Sequence, residues 1–230
     1  MFELIKDINS YLSNPFLTRI PDQVERPFLL LFRLTLICVF ASLTALMLLT
    51  LLIQYRLIPE PGPHAINRSN LSKPMFLFRA VLLAPLLEEL IFRAQLRRFS
   101  GGIFFISFII GAFLSLVFKT YWTFLVSPVI FILLFIIYRF TLASSITKKY
   151  QFWRGIFPWY FHVTALCFAL IHLSNFEKGI SLLPLGLLYT LPQLCTGLVL
   201  GYARMNYGLK YSIALHALFN LLPTLLLFTK

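Results

Sequence analysis

Charged residues are scarce in this chain, and their scarcity excludes a soluble globular fold. Only 12% of the 230 residues are Asp, Glu, Lys or Arg, whereas soluble domains contain about 25%. Hydrophobic residues make up 59% of the sequence, more than a globule of this size could remove from water. Several apolar stretches approach the roughly 20 residues that a helix needs to cross a bilayer. We therefore expect a membrane around most of the chain.

Cysteine and acidic residues are also few. Cys38, Cys167 and Cys195 lie in separate apolar stretches without CxxC spacing, so neither a disulfide framework nor a thiolate zinc site is indicated. Lys and Arg number 20 against 8 Asp and Glu, which gives a formal net charge of +12. Because these cations fall between apolar stretches, we interpret them as helix-flanking residues that contact lipid headgroups, and we expect no nucleic-acid partner.

The lengths of the apolar stretches predict an all-α, polytopic transmembrane bundle of about seven spanning helices. The predicted spans are about 28–53, 74–97, 103–118, 122–141, 157–174, 181–203 and 211–228. The N-terminus has amphipathic spacing, which is typical of a short helix at the membrane interface. More Lys and Arg fall in the loops on the N-terminal side of the membrane, which favours a cytoplasmic N-terminus.

One predicted span contains three ionisable residues, Glu88, Glu89 and Arg93, although a charge at membrane depth costs about 3 kcal/mol. Glu89 and Arg93 are i,i+4 neighbours that can form a charge pair. Glu88 points about 100° away from Glu89 and is free to act as a base. Pro85 cannot donate to the carbonyl of Val81, which predicts a local opening of the helix. The alternative is a buried charge network that only holds helices together.

Two later spans each present an imidazole beside a second group. Phe168 and His172 are four residues apart, and so are His216 and Asn220, so each pair shares one helix face. Combined with Glu88, these residues suggest hydrolysis of an amide or ester. Glu88, assisted by His172, would take a proton from water. His216 and Asn220 would donate hydrogen bonds to the oxyanion.

Other interpretations of these residues stay open. Zinc held by Glu88, His172 and His216 would form a His₂Glu catalytic site, although HExxH is absent. A proton-coupled transporter or a non-catalytic scaffold would also need polar residues inside its spans. The sequence has no evident internal repeat of the kind common in transporters. Apart from the zinc alternative, we expect no cofactor.

The order and spacing of these residues resemble the family of type II CAAX prenyl endopeptidases and bacteriocin-processing enzymes, also called the Abi or CPBP family. The motifs that carry the resemblance are Glu88-Glu89-x-x-x-Arg93, Phe168-x-x-x-His172 and His216-x-x-x-Asn220. The resemblance implies an intramembrane glutamic-type endopeptidase, built as a helix bundle around a water-accessible polar cavity. Its partners would be membrane lipids and a peptide or lipidated protein substrate.

The resemblance also implies roles for individual residues. Glu88 would be the water-activating base and His172 its partner, while His216 and Asn220 would be the oxyanion donors. The remaining motif residues would support them, namely Glu89, Arg93 and Phe168. The compact chain favours a multi-pass protein of a bacterial plasma membrane.

The resemblance covers about residues 74 to 228 and suggests a division of the chain. Residues 1–27 would form an N-terminal interfacial segment, and 28–73 the first transmembrane helix with a Pro-rich loop. Residues 74–230 would form the peptidase domain. A helical hairpin inserted at about 103–141 accounts for the long interval between the first two motifs.

The depths of the two histidines set a geometric condition on this site. His172 lies past the middle of its predicted span and His216 before the middle of its own. Each is displaced by about four residues, or roughly 6 Å, so straight helices would leave them about 12 Å apart in depth. Helix tilt, or a dipping segment near 174–183, must close this gap.

Overall fold

The chain folds into a bundle of helices joined by short turns. A computed structural model describes residues 1–18, 20–63, 71–118, 120–141, 145–177 and 179–228. Every regular element in these ranges is helical, which confirms the all-α prediction. The α-helices are α1 (Phe2–Ser13), α2 (Pro27–Gln54), α3 (Lys73–Phe78), α4 (Ala84–Phe92), α5 (Phe99–Phe118), α6 (Val126–Thr141), α7 (Ile146–Ile171), α8 (Gly186–Tyr189), α9 (Leu191–Tyr207) and α10 (Leu209–Phe228).

Several of these helices can cross a membrane. Four are long and apolar enough: Pro27–Gln54, Tyr121–Thr141, Ile146–Asn175 and Leu209–Leu226. A fifth candidate is a bent pair of helical segments. Ser181–Tyr189, which ends with α8, meets Leu191–Tyr207, which is α9, at 57°. The described residues therefore give four to five candidate spans in a multi-pass membrane protein.

The predicted count of about seven spans is not confirmed. One of the two remaining predicted segments corresponds to α3 and α4, which are separated by a π-helical turn at Arg79–Leu83. This segment carries the three ionisable residues of the first motif. The other corresponds to α5, whose apolar part Phe99–Ser115 counts as a shorter apolar helix.

Helix α9 lies at the centre of the bundle and contacts α2, α7 and α10. Leu200 and Met205 of α9 are fully buried, as are Leu34 and Cys38 of α2. Cys38 is thus a small side chain within the core, and all three cysteines are free thiols. The three helices that contact α9 therefore share one hydrophobic core with it.

The N-terminal segment packs on the end of this bundle. Ile8 and Tyr11 of α1 are buried, whereas Phe2 is 77% exposed. The Tyr11 hydroxyl donates to the Phe16 carbonyl at 2.9 Å. The predicted amphipathic helix is therefore present, with its inner face against the protein; its place at a membrane interface stays a prediction. The predicted Pro-rich loop lies partly outside the described residues, at 64–70.

Helices α5 and α6 form a hairpin beside the core. Aromatic rings join them: Phe99 lies 4.8 Å from Tyr138, and Phe104 lies 6.1 Å from Phe131, measured between ring centroids. Phe105 of α5 contacts Phe92 of α4 at 5.6 Å. The hairpin corresponds to the segment predicted as an insertion at about 103–141, and it packs against α4 without adding a residue of the three motifs.

Two tight connections bring the last helices into position. Helix α9 ends at Gly208, whose φ of +100° favours glycine and whose N–H donates to the carbonyls of Ala203 and Arg204, each at 3.2 Å. Helix α10 begins at the next residue and returns along α9. Earlier in the chain, α7 gives way at His172–Asn175 to a 3₁₀ turn. His172 therefore lies at a helix end.

Candidate active site

A π-helical turn, Arg79–Leu83, comes directly before α4, the helix that carries the glutamates, and ends two residues before Pro85. The Ala84 N–H donates to the Arg79 carbonyl, so that N–H is not directed at the Ala80 carbonyl. The next backbone donor along the helix is missing, because residue 85 is proline. Asn220 supplies the partner instead, since its Nδ2 donates to the Ala80 carbonyl at 2.9 Å. The opening predicted from Pro85 is thus a π turn that joins α4 to α10.

Glu89 and Arg93 form the predicted charge pair on α4. Arg93 Nη1 lies 3.2 Å from Glu89 Oε1, and both side chains are almost completely buried. Arg93 Nη2 donates to the Gly197 carbonyl of α9 at 3.3 Å. The guanidinium carbon lies 3.8 Å from the centre of the Phe168 ring, a cation–π contact. Arg93 therefore links α4 to both α7 and α9.

The Glu89 carboxylate also binds α10. His216 Nδ1 lies 3.0 Å from Glu89 Oε1, and the Ser212 hydroxyl donates to Glu89 Oε2. Sequence reasoning missed Ser212, although it lies four residues before His216 and so on the same helix face. That spacing was the available signal, but nothing local paired Ser212 with a carboxylate 123 residues away. Glu89 thus forms an ion pair with Arg93 and hydrogen bonds with Ser212 and His216 of α10, and it orients His216.

His172 is oriented by the backbone of its own helix. Its Nδ1 lies 2.7 Å from the Phe168 carbonyl oxygen, and its ring lies 4.8 Å from the Phe168 ring. The Phe168 ring also contacts that of His216 at 5.7 Å and is 1% exposed. Phe168 therefore separates the two imidazoles from the core and fixes both in place.

Glu88 lies between the two histidines. Its Oε2 is 3.9 Å from His172 Nε2 and 3.8 Å from His216 Nε2. Both imidazoles therefore reach the same carboxylate oxygen, so the difference in depth expected of straight helices does not keep them apart. The 3₁₀ turn that begins at His172 lies at the predicted dipping segment. Within the described residues, Glu88 Oε2 is buried and has no hydrogen-bond partner.

The partners of the two Nδ1 atoms decide what the Nε2 atoms can do. A backbone carbonyl and a carboxylate paired with Arg93 accept hydrogen bonds and cannot donate them. The protons of neutral His172 and His216 must therefore lie on Nδ1. In that state both Nε2 atoms carry lone pairs that face Glu88 Oε2. Each Nε2 acceptor thus lies within about 4 Å of a third acceptor, Glu88 Oε2, a grouping that favours a proton or a water molecule between them.

These residues lie on the wall of one cavity of about 540 Å³. Glu88, His172, His216 and Asn220 all line it, so the structure brings the four predicted catalytic residues together. Phe168 also lines the cavity, whereas Glu89 and Arg93 lie behind it. The volume falls in the range of small-molecule and peptide sites, about 300–1,000 Å³. Gln193 of α9 is a further lining residue that sequence reasoning missed.

The arrangement has one feature common to zinc sites. A histidine that binds a metal usually donates its other N–H to a carboxylate or carbonyl, as His216 and His172 do here. However, the part of the chain that the structure describes contains no group of three His, Cys, Asp or Glu side chains placed to hold a metal ion. The separations of 3.8 and 3.9 Å exceed the roughly 3.3 Å between neighbouring ligands of a tetrahedral ion with bonds near 2.0 Å.

Comparison with known proteins identifies a similarity to one protease family. Residues 136–222 match a family model described as Rce1-like, type II CAAX prenyl endopeptidase. The match confirms the family resemblance predicted from the motifs, and it contains the two histidine motifs but not Glu88. Comparison with curated proteins and with solved structures gave no match. The similarity to a protease family supports a hydrolase of the CAAX-protease type.

Proposed function

We propose that this protein is an intramembrane glutamic-type endopeptidase, which hydrolyses a peptide bond with water activated by Glu88 and His172. The observation that carries the proposal is the meeting of Glu88 Oε2 with two imidazole Nε2 atoms on a cavity wall. The match of residues 136–222 to a protease family adds independent support. The reaction needs no cofactor, because the base, the donors and water are sufficient for hydrolysis.

Water is the nucleophile in this mechanism. A water molecule beside Glu88 and His172 donates one hydrogen bond to Glu88 Oε2 and one to His172 Nε2. Glu88 takes a proton as the water oxygen attacks the carbonyl carbon of the substrate, and the carbonyl oxygen becomes an oxyanion. When the tetrahedral intermediate collapses, Glu88 returns that proton to the leaving amine. One water is consumed, and Glu88 ends the cycle ionised.

His216 and Asn220 stabilise the oxyanion. Asn220 uses one N–H for the Ala80 carbonyl and has a second N–H for the substrate. His216 donates from Nε2 when it enters the cycle with both ring nitrogens protonated, and it keeps both protons throughout. Glu89 holds the ring from the Nδ1 side, as the acidic member of a catalytic triad holds its histidine. Donors that face a developing oxyanion in a water-poor site typically contribute about 10²–10³-fold to kcat.

The surrounding residues fix this geometry. Glu89 and Arg93 support the glutamate helix, and Phe168 seats both imidazoles. We further propose seven membrane crossings, formed when α3–α4 and α5 also span, with a cytoplasmic N-terminus in a bacterial plasma membrane. The substrate is a peptide presented at or in the membrane, either prenylated or bacteriocin-like. Its other partners are membrane lipids, and nucleic acid has no role.

A zinc-dependent version of the same hydrolase is the second candidate. The observation in its favour is that both Nδ1 atoms are held by acceptors, as in many metal sites. Zinc at Glu88, His172 and His216 would polarise the substrate carbonyl or lower the barrier to water ionisation. The activity of such an enzyme would disappear with a chelator and return with zinc.

The test uses purified protein in liposomes, with a library of prenylated and unmodified peptides, and cleavage is read by mass spectrometry. Wild type, Glu88→Gln and wild type with a zinc chelator are compared. We expect cleavage that disappears in Glu88→Gln and survives the chelator. Loss with the chelator would favour the zinc-dependent version. A wild type that cleaves no peptide in any lipid would contradict the proposal and favour a scaffold or a proton-coupled transporter.

A further inference from the structure

We propose that Gln193 holds the backbone of the peptide substrate in the active-site cavity, with its Oε1 accepting a hydrogen bond from a substrate N–H. This inference rests on the proposed peptidase function and adds a positioning residue to it. Gln193 lies in the first turn of α9 and lines the cavity together with Glu88 and both catalytic histidines. None of the three sequence motifs includes Gln193.

The Oε1 atom of Gln193 is buried and has no hydrogen-bond partner among the described residues. The hydroxyl groups on the same wall are already occupied: Ser174, Thr196 and Thr224 donate to carbonyls of their own helical segments at 2.7, 3.1 and 2.7 Å. A buried acceptor without a partner is unfavourable. Among the described residues that line the cavity, Glu88 Oε2 is the other buried atom without a hydrogen-bond partner, and the proposed mechanism uses it. Gln193 therefore marks a second position where a ligand donor is required.

The backbone beneath Gln193 is braced. The Ser42 hydroxyl of α2 donates to the Pro192 carbonyl at 3.2 Å and lies 2.9 Å from the Thr196 hydroxyl. The Thr196 hydroxyl also donates to the Pro192 carbonyl. These bonds fix the first turn of α9 against α2, so Gln193 is presented from a rigid support. A group held in this way can orient a ligand at low entropic cost.

The part of the cavity lined by α3, the π turn and α4 leaves room for a peptide. Phe76, Ala80, Ala84 and Glu88 follow one another at intervals of four residues and all line the cavity. The two alanines place only methyl groups between the phenylalanine and the catalytic base. A peptide drawn from water into this cavity must replace the hydrogen bonds of its backbone N–H groups. Gln193 offers one acceptor in the same cavity as these two alanines.

The contact predicts a specific kinetic change. Gln193→Met preserves length and removes the acceptor, so we expect KM to rise about tenfold, the effect of one hydrogen bond. The kcat should stay within about twofold, because the bond exists in both ground and transition states. Gln151→Met is the matched control, since Gln151 is an exposed residue on α7. The unfolding temperature of each variant is measured in the same liposomes.

The decisive experiment pairs the variants with altered peptides. The best-cleaved library peptide is synthesised with an ester in place of each amide in turn, except at the scissile bond, which removes one N–H at a time. For wild type, one such ester should raise KM about tenfold. The same ester should have no effect on Gln193→Met, because the acceptor is already absent. Gln193→Glu keeps an oxygen at the same reach and should still respond to that ester.

The outcomes separate this inference from the proposed function. Coupling between Gln193 and one particular N–H supports the inference. Cleavage that depends on Glu88 but shows additive effects of Gln193→Met and every ester would overturn the role of Gln193 and leave the peptidase standing. Wild type without any cleavage would overturn both.

Discussion

Substitution by glutamine should lower the stability of the protein strongly at Glu89 and hardly at all at the adjacent Glu88. Glu89→Gln removes a charge that Arg93 Nη1 faces at 3.2 Å, in a pair that is almost completely buried. Removing one member of a buried ion pair costs about 3–5 kcal/mol, because the other charge stays buried without its partner. A typical protein is stable by only about 5–15 kcal/mol. We therefore expect Glu89→Gln to lose a large part of its free energy of unfolding.

The geometry around Glu89 explains why glutamine cannot replace glutamate. Its carboxylate faces three donor groups, which belong to Arg93, His216 and Ser212. A glutamine side chain has only one oxygen and would direct N–H groups toward at least one of these donors. Solvent cannot compensate, since Glu89 is 0% exposed. Glu88→Gln has no such cost, because Glu88 Oε2 accepts no hydrogen bond within the described residues. Its stability should change by less than about 1 kcal/mol.

The assay is reversible unfolding in mixed micelles, titrated with a denaturing detergent and followed by tryptophan fluorescence. The double variant Glu89→Gln/Arg93→Met is the matched control, since it removes both charges and should recover most of the lost stability. Cleavage is measured on the same samples. If Glu89→Gln unfolds at the same detergent fraction as wild type, or the double variant is no more stable than Glu89→Gln, the buried-pair reasoning is refuted.

Two further predictions use the same assays. His172→Gln should lower kcat about 10²–10⁴-fold, the usual contribution of an acid–base partner, with little change in the unfolding midpoint; normal activity in that variant would contradict its role beside Glu88. Gly197→Ala should cost about 1–3 kcal/mol of unfolding free energy, because its Cβ would lie 2.8 Å from Phe168 and 3.3 Å from Arg93. Gly155→Ala on α7 is the control: apart from the backbone of its own helix and its chain neighbours, no atom of the described residues lies within 4 Å of its added Cβ, so it should be neutral or stabilising.

Local periodicity was sufficient to predict some of the site. The pair of Glu89 and Arg93 follows from their i,i+4 spacing, and the structure contains it at 3.2 Å. The backbone contact of His172 joins residues that are also four apart. Pro85 indicated an opening in the helix, and a π turn occurs there. Each of these features depends on residues within one turn or two, where helix geometry alone sets the distances.

Contacts between distant segments could not be predicted in this way. Ser212 binds Glu89, and Asn220 binds Ala80, across more than one hundred residues in each case. Straight helices predict different depths in the membrane for the two histidines. In the structure His172 begins a 3₁₀ turn, and its ring reaches the same carboxylate oxygen as His216. The predicted number of spans is not confirmed for a related reason, since the apolar stretch predicted as one span at 74–97 is divided in the structure into α3, a π turn and α4.

The contacts of Glu89 also bear on how the protein is made. They join α4 to α10, and α10 is the last helix of the described chain to leave the ribosome. Until α10 inserts and packs, Glu88 has neither His216 nor Asn220 beside it, and Arg93 lacks the completed network around its counter-ion. In the proposed peptidase, the site therefore stays incomplete while the earlier helices enter the membrane, and its assembly waits for the packing of α10.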